Sequence, residues 1–300
     1  MRTYPAIEIT WPAVPSADEV EQLLAALDDH QPTAVEEQPA GVRVFFGEEA
    51  DRDAAASATR DRLPGVTVTP LLIPDENWAE RSQAALKPVR VDHVIVAPPW
   101  TLDEVRAAVT PGDAPIIIAI QPSMGFGTGH HQSTRLCLEL LQRHLPARAA
   151  ALDIGTGSGV LAIAAGRLGA ASALGVDVDR DALASAAENI ELNSAGGAVS
   201  LDTVDITQGA DAFAARFTLV FANITGAMLQ RHAAAVASTL APGGILIISG
   251  FQTHELEDVT TAFVTTGLER IDTVEEDTWV AAAFRPDPTG RGPVAVHSRR

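Results

Sequence analysis

Cysteine, lysine and tyrosine each occur once in this chain of 300 residues, and basic side chains are outnumbered by acidic ones, 21 to 39, for a formal net charge of −18. A single cysteine excludes an internal disulfide framework and a cysteine-based zinc site. Flanked by Leu136 and Leu138, Cys137 reads as a buried core thiol. The acidic balance argues against general attraction to nucleic acid and leaves two accounts, a solvated acidic surface or a basic partner. No apolar run approaches the roughly 20 residues that cross a bilayer. The opening MRTYPAIEITWPAV has an early proline and no continuous apolar region of signal-peptide type. These absences lead to the expectation of a soluble, cytoplasmic, monomeric protein. His130 and His131 are adjacent, so they point in different directions on most backbones, and no H-x-x-x-H or carboxylate stands at ligand spacing; no metal site is expected.

Apolar residues, at 46%, suffice for a sizeable core, and the length favours a large domain with a smaller one. The most informative stretch is Ala150 to Asp177, AALDIGTGSGVLAIAAGRLGAASALGVD. A short apolar run meets the loop Gly155-Thr156-Gly157-Ser158-Gly159, and Val160, Leu161, Ile163, Ala164 and Leu168 follow at helical spacing. A second apolar run, Ala171 to Val176, ends in Asp177. The unit reads as βαβ with a carboxylate at the tip of its second strand. Glycines let the backbone approach a ligand closely, and that carboxylate can accept two hydrogen bonds from a ribose diol. The spacing is G-x-G-x-G rather than the dinucleotide G-x-G-x-x-G, and Asp153 precedes it. An acid there would repel a pyrophosphate but can hold, directly or through water, the ammonium of an amino-acid moiety. S-adenosyl-L-methionine carries that group and no phosphate, and Asp153 to Gly159 resembles the first glycine motif of the seven-stranded methyltransferases.

Upstream, residues 4–11 alternate as a half-buried strand does, and 16–27 reads as a helix with Ser16 as cap and Glu19 as capping-box partner. Strand, helix and strand follow at 41–46, 50–63 and 66–73. The order suggests a small α+β domain of ferredoxin-like type over 1–74. A linker helix stopped by Lys87-Pro88 occupies 75–88, and the apolar runs 89–96 and 116–120 read as strands. Residues 121–134, QPSMGFGTGHHQST, form a glycine-rich loop in which Ser133-Thr134 open a helix running to Leu145.

This segment resembles the signature of the PrmA family, bacterial enzymes that methylate the eleventh-numbered protein of the large ribosomal subunit, whose usual pattern is D-P-G-x-A-F-G-T-G-T-H-P-T-T. Pro122, Phe126 to Gly129, His131 and Thr134 match; Gln121, Ser123, Gly125, His130, Gln132 and Ser133 depart from it. The spacing from Trp78 to Lys87-Pro88 is similar as well, and the likeness extends to about Phe284. It implies a substrate-recognition domain at 1–74, the linker, and an S-adenosyl-L-methionine-binding domain over 89–284. The expected fold is α/β, a seven-stranded Rossmann-like methyltransferase sheet with a smaller N-terminal domain. Residues 285–300, rich in Pro, Gly and Arg, read as a disordered tail.

Along the rest of the sheet, Asp205 follows the strand 199–204, where it can meet an adenine amino group or simply lie on the surface. The strand 217–222 delivers Asn223 to the carboxyl edge, the ligand edge of open α/β sheets. Thr134, Gly155, Asp177 and Asn223 fall at the family's cofactor-contact positions, Phe126 and Thr128 would close over the methyl donor, and Asp153, Gly157 and Asp205 complete the candidate cofactor set. Asn223 is the candidate catalytic residue, its carbonyl oxygen accepting an N–H of the target amine. His131 is read either as a proton acceptor or as a residue that orders the loop. The resemblance implies methylation of lysine or N-terminal amines of a basic ribosomal protein. The alternatives are another protein or a small amine as acceptor, or an adenosyl-binding homologue without catalysis.

Overall fold

A computed structural model describes residues 3–12, 15, 23, 27, 30, 32–38, 41–63, 65–74, 86–110, 112–122 and 131–288. The chain divides into two compact units at Ala85 and Leu86. In the first, strands β1 (Thr3–Thr10), β2 (Pro32–Gln38) and β3 (Gly41–Phe46) are followed by helix α1 (Glu49–Arg62) and strand β4 (Thr67–Pro74). They form an antiparallel sheet in the order β2-β3-β1-β4. Period-two alternation puts Ile7 opposite Val44 and Ile9 opposite both Val42 and Val68. These side chains pack on Ala55 and Ala56 of α1 and on the buried Leu23 and Leu27, which occupy helical positions. β2 is a strand that the sequence reading did not contain. The rest of the helix read at 16–27, and residues 75–85 of the linker, lie outside the described residues.

The second unit begins with β5 (Val89–Val91), β6 (Val94–Ala97), helix α2 (Leu102–Ala108) and β7 (Ile116–Ala119). The run read as one strand over 89–96 is a hairpin, because the chain turns at Asp92-His93 with Asp92 at φ 48°. β7 returns parallel to β6, and the three make a sheet of their own. Then come α3 (Gln132–His144), β8 (Ala150–Ile154), α4 (Val160–Arg167), β9 (Ser172–Asp177), α5 (Arg180–Leu192), β10 (Val199–Thr203), α6 (Ile206–Gly209), β11 (Phe217–Asn223), α7 (Gly226–Ser238), β12 (Leu240–Gln252), α8 (Leu256–Val264), β13 (Leu268–Glu276) and β14 (Trp279–Pro286). The last strand continues two residues past Phe284, and residues 289–300 lie outside the described residues.

The main sheet has seven strands in the order β10-β9-β8-β11-β12-β14-β13, parallel except where β14 runs against β12 and β13. Its central strands are apolar on both sides, as a sheet covered on two faces requires. Ala151, Leu219, Phe221 and Ile247 pack with α3 and α4; Leu152, Val220, Ala222 and Ile248 pack with α7 and α8. Full burial of a side chain of the size of Phe221 stabilises by roughly 2–3 kcal/mol. The chain leaves β8 toward β9 and β10, then returns to β11 on the other flank of β8. That reversal opens a crevice at the carboxyl ends of β8 and β11, where ligands bind in such sheets.

Candidate cofactor and methyl-transfer site

At the end of β8 the chain turns through Gly155, Gly157 and Gly159 with φ of 69°, 52° and 79°, a left-handed conformation that a side chain would strain. Gly159 caps α4. The backbone also passes close to its neighbours: a Cβ on Gly155 would stand 2.8 Å from Ile224 Cγ2, and one on Gly159 3.2 Å from Ala186 Cβ. The loop is held from two sides. Gly155 and Thr156 donate to the Val176 carbonyl at 2.9 and 3.0 Å. Asp177, half-buried at the tip of β9, accepts from the Gly157 N–H at 3.0 Å through one oxygen and from the Asp179 N–H at 3.0 Å through the other. Each oxygen keeps a further lone pair for a ligand hydroxyl.

Asp153 lies beneath the loop, 2% exposed. Its Oδ2 accepts from Thr156 Oγ1 at 2.7 Å and from the Ala162 N–H at 3.2 Å. Burial pushes its pKa up to about 6, against the pull of those two donors. Asp205 stands two residues beyond β10 and caps α6, accepting from the Thr207 N–H at 2.9 Å, Thr207 Oγ1 at 2.6 Å and Gln208 Nε2 at 2.8 Å. The Thr207 hydroxyl holds its carboxyl below the usual range.

Across the crevice, Asn223 ends β11 with its Nδ2 3.4 Å from Thr134 Oγ1, a long and weak hydrogen bond. Thr134 is buried in the first turn of α3. That helix is capped by His131, not by Ser133 or Thr134: Nδ1 accepts from the Ser133 N–H at 3.3 Å. Such a cap requires a neutral ring, and burial first, then the nearby Arg135, lowers the His131 pKa. The ring stands edge-on to Trp279 with centroids 4.4 Å apart, and Arg135 pairs with Glu276 at 2.6 and 2.9 Å. Of the two readings of His131, the described contacts are those of a residue that orders the chain.

The structure thus brings together Asp153, Gly155, Gly157 and Asp177 on one side of the crevice and Thr134 and Asn223 on the other, while Asp205 lies at the end of the strand next to Asp177. Phe126 and Thr128 lie outside the described residues. Two residues escaped the sequence reading. Val178, 65% exposed directly after Asp177, offers an apolar surface beside that acid. Ile224 meets Gly155 only because β11 and β8 are neighbours. An apolar residue just past a strand-end acid was the signal for the first; the second had none. Cys137 is buried and its thiol is pushed far above its ordinary pKa, so it is no nucleophile.

With the site described, likeness to known proteins becomes informative. The sequence model of the family described as "Ribosomal protein L11 methyltransferase (PrmA)" matches residues 13–286. A ribosomal protein L11 methyltransferase of Geobacter sulfurreducens is 38% identical over 274 residues, 87% of either chain. One of Pelobacter propionicus is 35% identical over 260 residues, 81% of either chain. Among solved structures, a ribosomal protein L11 methylase from Lactobacillus delbrueckii subsp. bulgaricus superposes with a TM-score of 0.57 at 26% identity, covering 67% of this chain and 99% of that one. Glycine loop, strand-end acid, reversed strand order and these likenesses converge, and the chain belongs to the ribosomal protein L11 methyltransferase (PrmA) family of S-adenosyl-L-methionine-dependent enzymes.

Proposed function

We propose that the chain methylates amino groups, on lysine side chains or an N-terminus, of the large-subunit ribosomal protein L11. The observation that carries this reading is the approach of Asn223 to Thr134 across the crevice from the glycine loop. The residues present fit S-adenosyl-L-methionine: a turn whose three left-handed positions are all glycine, an acid on the adjacent strand that would hold a ribose diol, the apolar Val178 beside it, and the buried carboxylate of Asp153 beneath the loop, whose charge would favour a cationic ligand. When bound, this cofactor supplies an electrophilic methyl group whose leaving thioether departs neutral.

No acid is needed for that departure, so the protein has two tasks, alignment and exclusion of water. Asn223 turns its Nδ2 toward Thr134, which leaves the carboxamide oxygen facing the other way to accept an N–H from the incoming amine. An accepted N–H would orient the amine nitrogen for in-line displacement. The ammonium proton leaves to solvent before attack.

The test is transfer of labelled methyl from S-adenosyl-L-methionine to purified ribosomal protein L11, with a mixed lysate alongside and Asn223→Ala as control. Label should appear on L11 and fall on the order of 10²-fold in the variant, the scale at which lost alignment slows a bimolecular step. Label on another lysate component alone would move the target, and cofactor binding without transfer would leave a non-catalytic homologue.

A further inference from the structure

β7 is an edge strand, bonded to β6 on one side, and its other edge meets α5 where another strand would lie. Ala119 pairs through both backbone groups with Asn193: its N–H donates to Oδ1 at 2.9 Å and its carbonyl accepts from Nδ2 at 2.6 Å. Two residues on, the Gln121 N–H donates to Asn189 Oδ1 at 2.7 Å. The match follows from two periods. Residues four apart on a helix are separated by about 6 Å along its axis, and residues two apart on a strand by about 6.6 Å. Asparagines at i and i+4 therefore stand in for a strand partner. Asn189 is 0% exposed and Asn193 6%, so water offers no substitute for these bonds.

Asn189 has a second arm. Its Nδ2 donates to the Ser158 carbonyl at 3.0 Å. Ser158 sits in the glycine loop, between the Gly157 N–H held by Asp177 and the Gly159 that caps α4. Gln121, on the first arm, lies two residues past the end of β7, in the sequence that leads on to Thr134 opposite Asn223. One carboxamide ties the loop of the seven-stranded sheet to the strand end of the three-stranded one.

We propose that Asn189 is a positioning residue for methyl transfer: it fixes the glycine-loop backbone at Ser158 against the end of β7, and with it the cofactor-binding backbone. The proposal rests on the reading that the glycine loop and Asp177 hold S-adenosyl-L-methionine.

Calorimetric titration with S-adenosyl-L-methionine tests it on the wild type, Asn189→Ala, Asn193→Ala and Asp177→Ala, each well below its own melting temperature. Asn189→Ala should raise Kd about tenfold or more, since it removes both the bond to the Ser158 carbonyl and the bond to the Gln121 N–H. Asn193→Ala removes the pairing with β7 and its Nδ2 bond to the Asn189 carbonyl at 2.7 Å but leaves the Asn189 side-chain bonds to Ser158 and Gln121 in place, so it should lower the melting temperature and leave Kd within about threefold. An unchanged Kd in Asn189→Ala, or an equal rise in both asparagine variants, would overturn the proposal if Asp177→Ala still loses affinity. Undiminished affinity in Asp177→Ala would instead overturn the site reading beneath it. Should Asn189→Ala not fold, Asn189→Asp supplies the same decision. Ionised at about pH 8 it accepts from Gln121 but repels the Ser158 carbonyl; protonated at about pH 5 it can donate again. Its Kd relative to wild type at the same pH should return toward one on acidification, and a ratio indifferent to pH would overturn the proposal.

Discussion

In the unfolded chain the Asp153 carboxyl titrates near the ordinary value of 3.8, and burial in the folded protein raises it to about 6. The folded state therefore binds this proton more tightly than the unfolded one. The stabilisation is complete below about pH 4 and is lost as the pH climbs through about 6, leaving an ionised folded protein that carries a cost of roughly 2–3 kcal/mol at neutral pH. Asp153→Asn keeps an oxygen for Thr156 and Ala162 and removes the charge. It should melt higher than the wild type at about pH 8 and indistinguishably at about pH 4, as read from thermal unfolding across that range. The same substitution should weaken S-adenosyl-L-methionine, because the charge that burial opposes is the one a cationic ligand repays. Parallel stability curves for the two proteins would show that the carboxylate is not the source of the cost.

At the scale of elements, β12 shows how a strand serves the site. Pro242-Gly243-Gly244 is a turn-forming sequence, yet the strand runs through it from Leu240 to Gln252, with a register shift against β11 between Phe217 and Leu219. At Gly250, φ is 91° and a Cβ would stand 2.4 Å from the Ile224 carbonyl oxygen, immediately after Asn223. Gly250→Ala should cost about 2–4 kcal/mol, the sum of a left-handed residue and a backbone clash, and should lower kcat by displacing the segment that carries Asn223. Gly243, at φ 74° with nothing within 4 Å of its Cβ position, is the control, where Ala should cost only about 1–2 kcal/mol and leave kcat intact. Equal effects at the two positions on chemical unfolding and turnover would count against this account.

The same comparison shows what is legible in a sequence. The strands β8, β9 and β11 are short apolar runs with punctuated ends, and they were readable together with the acid and the asparagine at their tips. β2, PTAVEEQ, was not: it is an edge strand carrying Glu36 and Glu37, too polar for alternation to stand out. The cap of α3 was misplaced by two residues because serine and threonine are the expected caps and a histidine ring nitrogen is not. Asn189 and Asn193 were invisible for a different reason. On a helix they read as solvent-facing polar residues, and only the return of β7 makes them buried.

For the whole molecule the governing quantity is charge. The chain carries 39 acidic and 21 basic side chains, a formal net charge of −18. That charge acts at long range. A basic protein approaching such a surface is steered, and the attraction is screened over about 8 Å at physiological ionic strength. S-adenosyl-L-methionine, with one carboxylate against an ammonium and a sulfonium, carries a net single positive charge and depends chiefly on contacts inside the crevice. The two substrates should then separate under salt. Raising potassium chloride from about 0.05 to about 0.5 M should increase the KM for L11 several-fold while moving the KM for the cofactor by less than about twofold. Steady-state methyl transfer with each substrate varied in turn reads both. A protein KM indifferent to salt would mean that the acidic surface is solvated and recognises nothing, and that L11 is selected by shape alone.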